Sequence, residues 1–450
     1  MHHAALNLPD LFLGLWRATL ECDTDRGDAI SQWTWAVLRG DLWKAHGKTV
    51  ADATPYLPGF FDRAPRNPAE KINSGYKAIE YIGYFYVLGP ALLHDILPRP
   101  YYRHFCMLVC AIRILHQRSI SQDDLRRAHR LCMTFVRDYE VLYYGRRTAR
   151  IHFVRQSIHS LTHLAREVLL FGPPGLYSQW TMERTIGNLG QEIRQPSNPY
   201  ANLSQRAVRR GQLNAVMSFV PSLAPAVLPS GALVRSAYDL GHGFSLRPAR
   251  DATSTDIPAL HVLALRNYVN KVTNQRSSPY SAQPTRIMRW ARLSLPSGLI
   301  ARSAWKEDLK PHGSGKRIAH NVMVQSQGSG TQYVAEVLYY FVHQIAGREV
   351  GLAMVHRYSA PDKALLEVSH GTLVVCDLDK CSVEVISVKN IKSVVGMVPL
   401  PVFGRLSQYP SSSRLPYLPQ PEQATRFFVA EKLGMDIMQL GRSTAPDEQD

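Results

Sequence analysis

The chain has few cysteines, no long apolar run and a shortage of acidic residues. Six cysteines in 450 residues, at 22, 106, 110, 132, 376 and 381, are too sparse for a disulfide framework and fit a reducing compartment. Cys106 and Cys110 share the apolar helical pattern FCMLVCAIRIL, where free cysteine is core material. Cys376 and Cys381 flank Asp-Leu-Asp-Lys in an expected hairpin, and one C-x4-C pair without a second is poor ground for zinc. No stretch is long and apolar enough to span a bilayer, and Met1-His2-His3 does not open a signal peptide, so an intracellular protein without a membrane partner is expected. Asp and Glu number 36 against 52 Lys and Arg, leaving a formal charge of +16. That balance favours a polyanionic partner, nucleic acid first and an acidic membrane surface second.

What is present reads as globular, with 45% hydrophobic and 9% aromatic residues. The expected fold class is α+β. Apolar residues recur at helical spacing through residues 1–220, with helices expected over 8–20 and 28–47. Another is expected after Ser121, where Ser121 and Asp124 stand at capping-box spacing. Its buried side is Leu125, Ala128, Leu131, Cys132, Phe135, Val136 and Tyr139; Arg126, Arg127, Arg130 and Arg137 point outward. Trp33, Trp35 and Trp43 suit a core better than a base-stacking platform, given the i, i+4 spacing of Trp33 and Val37. Residues 221–285, rich in Pro, Ser, Gly and Ala, read as a linker with a short helix near 257–271. From 286 to 400 the period shifts to two, as expected of a small antiparallel β-barrel or sandwich. Residues 401–450 read as a Pro- and Ser-rich loop, a short helix and a disordered acidic tail.

The richest chemistry lies between Ile158 and Asn214. A helical run ends at Gly172-Pro173-Pro174-Gly175; a second, capped by Ser178, carries Met182, Ile186, Leu189 and Ile193 at helical spacing and places Glu183 in its first turn. His159 and His163 stand at i, i+4, but Ser160 occupies the place of a metalloprotease glutamate, which excludes that chemistry. A structural His163, packed on the Glu183 helix, suits the pattern better than a metal ligand. Arg206, Arg209 and Arg210 cluster on the following helix as the best local phosphate-contacting patch.

The residues H-x-x-x-H-L, G-P, W-x-M-E-R and S-N-P-Y-A-N-L-S resemble the distal part of fungal CACTA (En/Spm)-like transposases. The resemblance implies that Glu183 is the last acid of an RNase H-like DDE core and a ligand for Mg²⁺ or Mn²⁺. Trp180, Arg184, His159 and His163 would support it. DNA and other transposase chains would be the partners and the nucleus the location. The helical content before Glu183 agrees with the helical insertion of such cores. The opening residues, Met1 to Leu11, resemble the family's D-x-x-H-x-x-x-N segment, whose acid and an earlier Asp would precede Met1. Two-metal phosphoryl transfer needs several carboxylates on two cations, so the expectation is a transposase fragment that is catalytically incomplete. A domesticated nucleic-acid-binding or scaffold module is the alternative.

Overall fold

The computed structural model describes residues 2–20, 28–193, 197–223, 236–274, 286–307, 317–326, 330–409 and 414–434. It is α+β: the described residues up to 223 hold helices and turns, and strands begin at Tyr238. The longer helices are α1 (Leu8–Arg17), α2 (Gly40–Asp52), α3 (Arg99–Leu115), α4 (Gln122–Tyr139), α5 (Leu164–Phe171), α6 (Trp180–Glu192) and α7 (Pro199–Phe219). Ser121 caps α4 as its spacing predicts, its hydroxyl accepting the Asp124 N–H at 3.1 Å. Leu125, Ala128, Cys132, Phe135 and Tyr139 fill the inner face of α4.

Aromatic rings hold the helical core together. Phe12 lies 5.6 to 6.3 Å from the rings of Trp16, Phe85, Phe135, Tyr139 and Tyr143. Polar tips inside this cluster find partners: the Trp16 indole N–H donates to the Tyr143 hydroxyl at 3.1 Å, and the Tyr86 hydroxyl to the Ala4 carbonyl at 2.8 Å. The helix expected over 28–47 does not form as one piece. Asp28 is buried, accepting from Trp33 and Arg150; a single 3-10 turn, Ile30–Gln32, and a further turn at Thr34 and Trp35 follow, before Gly40, at φ +56°, turns the chain into α2. Trp33 and Trp35 are buried and stacked on each other, so they are core and not a platform.

All ladder pairings in the β half are antiparallel. The strands of its main sheet are β1 (Tyr238–Gly241), β2 (Phe244–Arg250), β3 (Trp290–Ser294), β4 (Ile300–Arg302), β5 (Asn321–Gln325), β6 (Gln332–Ile345), β7 (Arg348–Tyr358), β8 (Val375–Ser387), β9 (Ile391–Val394), β10 (Gly396–Pro399) and β11 (Arg426–Ala430). Their path is β1-β2-β3-β6-β7-β8-β11-β10, with β4 beside β3 and β5 between β6 and β9. The path is open, so the sheet does not close into the barrel the spacing suggested. Ala346 and Gly347, both at positive φ, make the two-residue turn of the β6–β7 hairpin.

Residues 238–250, read as linker, form β1 and β2; the short helix expected near 257–271 is present as α8 (Ala259–Thr273). Only Phe244 and Leu246 of the two strands are buried, too few to set a visible alternation. Cys376 and Cys381 do not flank a hairpin. β8 runs on through them with a bulge between Leu378 and Val383, leaving Cys376 buried and Cys381 exposed. Past 401 the described residues form strands, not a helix: Val402–Gly404 pairs with Leu415–Tyr417, and β11 sits between β8 and β10. The acidic tail lies outside the described residues.

The helical core and the sheet share apolar packing. Leu373, Val375, Val398, Phe428 and Ala430 belong to the same buried cluster as Phe12 and Trp16. At this seam Arg113, nearly fully buried, donates to the carbonyls of Tyr86 and Thr372 and to Glu431 at 2.9 Å. Removing one member of a buried pair strands the other charge, so Glu431→Ala is expected to cost about 3 to 5 kcal/mol in urea unfolding. A loss under about 1 kcal/mol would contradict a seam held by this pair.

Burial also pushes imidazoles down from the ordinary 6.5, among them His46 to about 3 and His104 to about 4, although the Phe135 carbonyl raises His104 in part. Between those values the unfolded chain binds protons that the folded chain refuses. The stability they contribute is complete above 6.5 and is lost as pH falls toward 4, at up to about 2.7 kcal/mol per pH unit for the pair. Urea unfolding at pH 5 is expected to need less denaturant than at pH 7, and equal midpoints would contradict the neutral burial of these rings.

Candidate functional site

The site is built from two segments far apart in sequence. The turn His3–Asn7 leads into α1, with Ala4 and Ala5 buried and the Ala4 carbonyl held by Tyr86. His3 donates from Nε2 to the Ser157 carbonyl at 2.6 Å, and burial pushes its pKa below the ordinary value while that bond pulls it back. With its neighbour so anchored, His2 projects outward, its Nε2 3.8 Å from Oε1 of Glu183. Glu183 stands in the first turn of α6, where the helix dipole favours a carboxylate, and it is about half exposed. Ser178 does not cap this helix. It ends the preceding short turn Pro174–Tyr177 in extended conformation, and Gln179 takes the cap position without a side-chain bond.

Beside the N-terminal segment lies a cleft of about 680 Å³ lined by Asn7, Asp10, Arg17, Tyr81, Arg155 and Ser157 among others. Asp10 sits in the first turn of α1, as its place after Pro9 predicts. Arg155 was not singled out from the sequence, since an isolated arginine at a loop end carries no local signal.

The remaining candidates are arranged less closely. His159 and His163 are exposed, their Nε2 atoms 3.2 Å apart, so the i, i+4 pair does meet, each ring against the other. The side chain of Trp180 lies outside the described residues, and Arg184 is exposed. Arg206 and Arg210 lie about one turn apart and half-buried, with Arg210 paired to Glu192 on α6. Arg209, one residue from Arg210, is rotated about 100° from it by the helical period and is exposed. Arg206 stands about one turn from both Arg209 and Arg210, so the three share an arc of about 100° on α7, with Arg210 drawn toward Glu192.

Among the described residues, no group of three or more His, Cys, Asp or Glu is placed to hold a metal ion. Glu183 and His2 offer one carboxylate and one imidazole. A pair of Mg²⁺ or Mn²⁺ ions needs several carboxylates around near-octahedral centres, so the residues described here do not fit that pair.

The surroundings of Glu183 are unusually apolar for an outer surface. Neither α6 nor α7 has a residue described as buried; Met182 and Ile186 on α6, and Tyr200 and Phe219 on α7, are all exposed. More than half of the exposed large hydrophobic side chains among the described residues lie between Leu169 and Leu223. Scattered exposed apolar residues are ordinary, but this concentration is the kind that marks an interaction surface. No family model, curated protein or solved structure matches the chain.

Proposed function

We propose that the chain acts within a CACTA-like transposase assembly in the nucleus, holding DNA and a partner transposase chain, without cutting DNA unaided. The observation that carries the reading is the approach of His2 to Glu183. These residues come from the two segments, at the start of the chain and after Gly172-Pro173, that resemble the family's acid-bearing motifs, and a shared catalytic centre would require the two to be neighbours. The exposed Met182 and Ile186 beside Glu183 support a docking surface for a protein partner, which would have to bring the further carboxylates that Mg²⁺ or Mn²⁺ requires. The charge of +16 supports DNA as the other partner. The same exposed apolar side chains favour a second reading, a nucleic-acid-binding scaffold in which Glu183 has no chemical part.

The test is supercoiled plasmid with Mg²⁺ or Mn²⁺, comparing the parent chain with Glu183→Ala. Retention of DNA at low salt, lost steeply as salt rises, is expected from both, without nicking by either. Nicking by the parent that disappears in the variant would overturn the non-cutting reading, and retention indifferent to salt would remove DNA from the account.

A further inference from the structure

We propose that Arg247, Arg292 and Arg302 form a phosphate-binding row on the outer face of the sheet, which takes the backbone of a nucleic-acid strand. The register places Arg247 opposite Arg292 across β2 and β3, and Arg292 opposite Arg302 across β3 and β4. Directly opposed residues leave the same face of a sheet with Cβ atoms about 4.5 to 5.5 Å apart, so the row spans roughly 10 Å across three strands. The alternate residues Leu246, Leu293 and Ala301 are buried in the core beneath. Arg292 is exposed, and Arg247 and Arg302 are half-buried.

Like charges directly opposite one another destabilise a sheet, and here the opposition occurs twice in succession. Arg302 is relieved by Glu307, which accepts from it at 3.1 Å. Arg247 and Arg292 have neither a hydrogen-bond nor an ion-pair partner among the described residues. Asp239, on the adjoining strand opposite Ser245, already accepts the Gly241 N–H at 2.9 Å. The next rung sets Ser245 opposite Ser294, adding hydroxyl donors to the guanidinium row. Arginine and serine together are donors that phosphate oxygens accept from. A nucleic-acid strand repeats its charge at every unit, whereas a peptide must carry a run of acids to match the row.

The site takes from the proposed function only the nature of its polyanion. It is tested with the full chain carrying Arg247→Gln and Arg292→Gln, with Arg126→Gln on the outer face of α4 as a control, by anisotropy of a fluorescent DNA oligonucleotide over a range of KCl. The double variant is expected to bind at least about tenfold more weakly at low salt, with the slope of log K against log salt reduced by about 1.4 to 1.8, two phosphate contacts' worth. The Arg126→Gln protein is expected to bind close to the parent, and because nicking is read at Glu183 and binding at the row, the catalytic reading can fail without touching this one. Without DNA, the double variant is expected to unfold at the same or a higher temperature, since a repulsion has been removed. Unchanged DNA affinity, a lowered unfolding temperature, or displacement of DNA by polyglutamate at equal charge would each overturn the proposal. The last outcome would point instead to an acidic protein partner.

Discussion

Arg113 is the point through which the two halves of the chain are joined. A guanidinium taken out of water is costly unless each face of it is satisfied, and here the carbonyls of Tyr86 and Thr372 and the carboxylate of Glu431 do so. One partner belongs to the helical core, one to the loop before β8, and one follows β11. The bond geometry therefore fixes the sheet against α3, and apolar packing from Val375, Val398 and Phe428 completes the seam.

From that seam the order of the helical half runs outward and then stops. The ring cluster about Phe12 and the Tyr86 hydroxyl pin the N-terminal turn, which in turn presents His2 to Glu183. Beyond Val168, the last residue of α5 classed as buried, the chain gains little from burial. An isolated helix as short as α6 is marginal in water, and helical stability in proteins comes mostly from packing, so α6 and α7, neither with a residue described as buried, depend on each other and on whatever covers Met182, Ile186 and their neighbours. The sheet half differs in kind: its apolar faces are filled, and its unresolved tension is electrostatic, in the arginines facing one another across β2, β3 and β4.

Much of this was legible from the residues. The period of α4, its Ser121 cap, the tryptophans as core and the strands from 321 to 399 follow from local pattern, because each buries one face against a neighbour. Glu183 in a first turn was legible for the same reason. What escaped depends on partners distant in sequence. Asp28 breaks the expected helix because Arg150 draws it inward. β1 and β2 carry too little apolar alternation to announce themselves, and the arginine row exists only once strand register is known. On α7, Arg206 keeps helical spacing to both Arg209 and Arg210, and what the sequence did not show is the pairing of Arg210 with Glu192 on α6.

The central claim is that order reaches from the Arg113 seam through the ring cluster and ends before α6 and α7. Native-state hydrogen exchange of the free chain measures it directly. The account expects the slowest exchange in α3, β6 and β7 and exchange near the unfolded rate in α6 and α7. Protection of α6 and α7 as strong as that of α3, with no partner present, would contradict it.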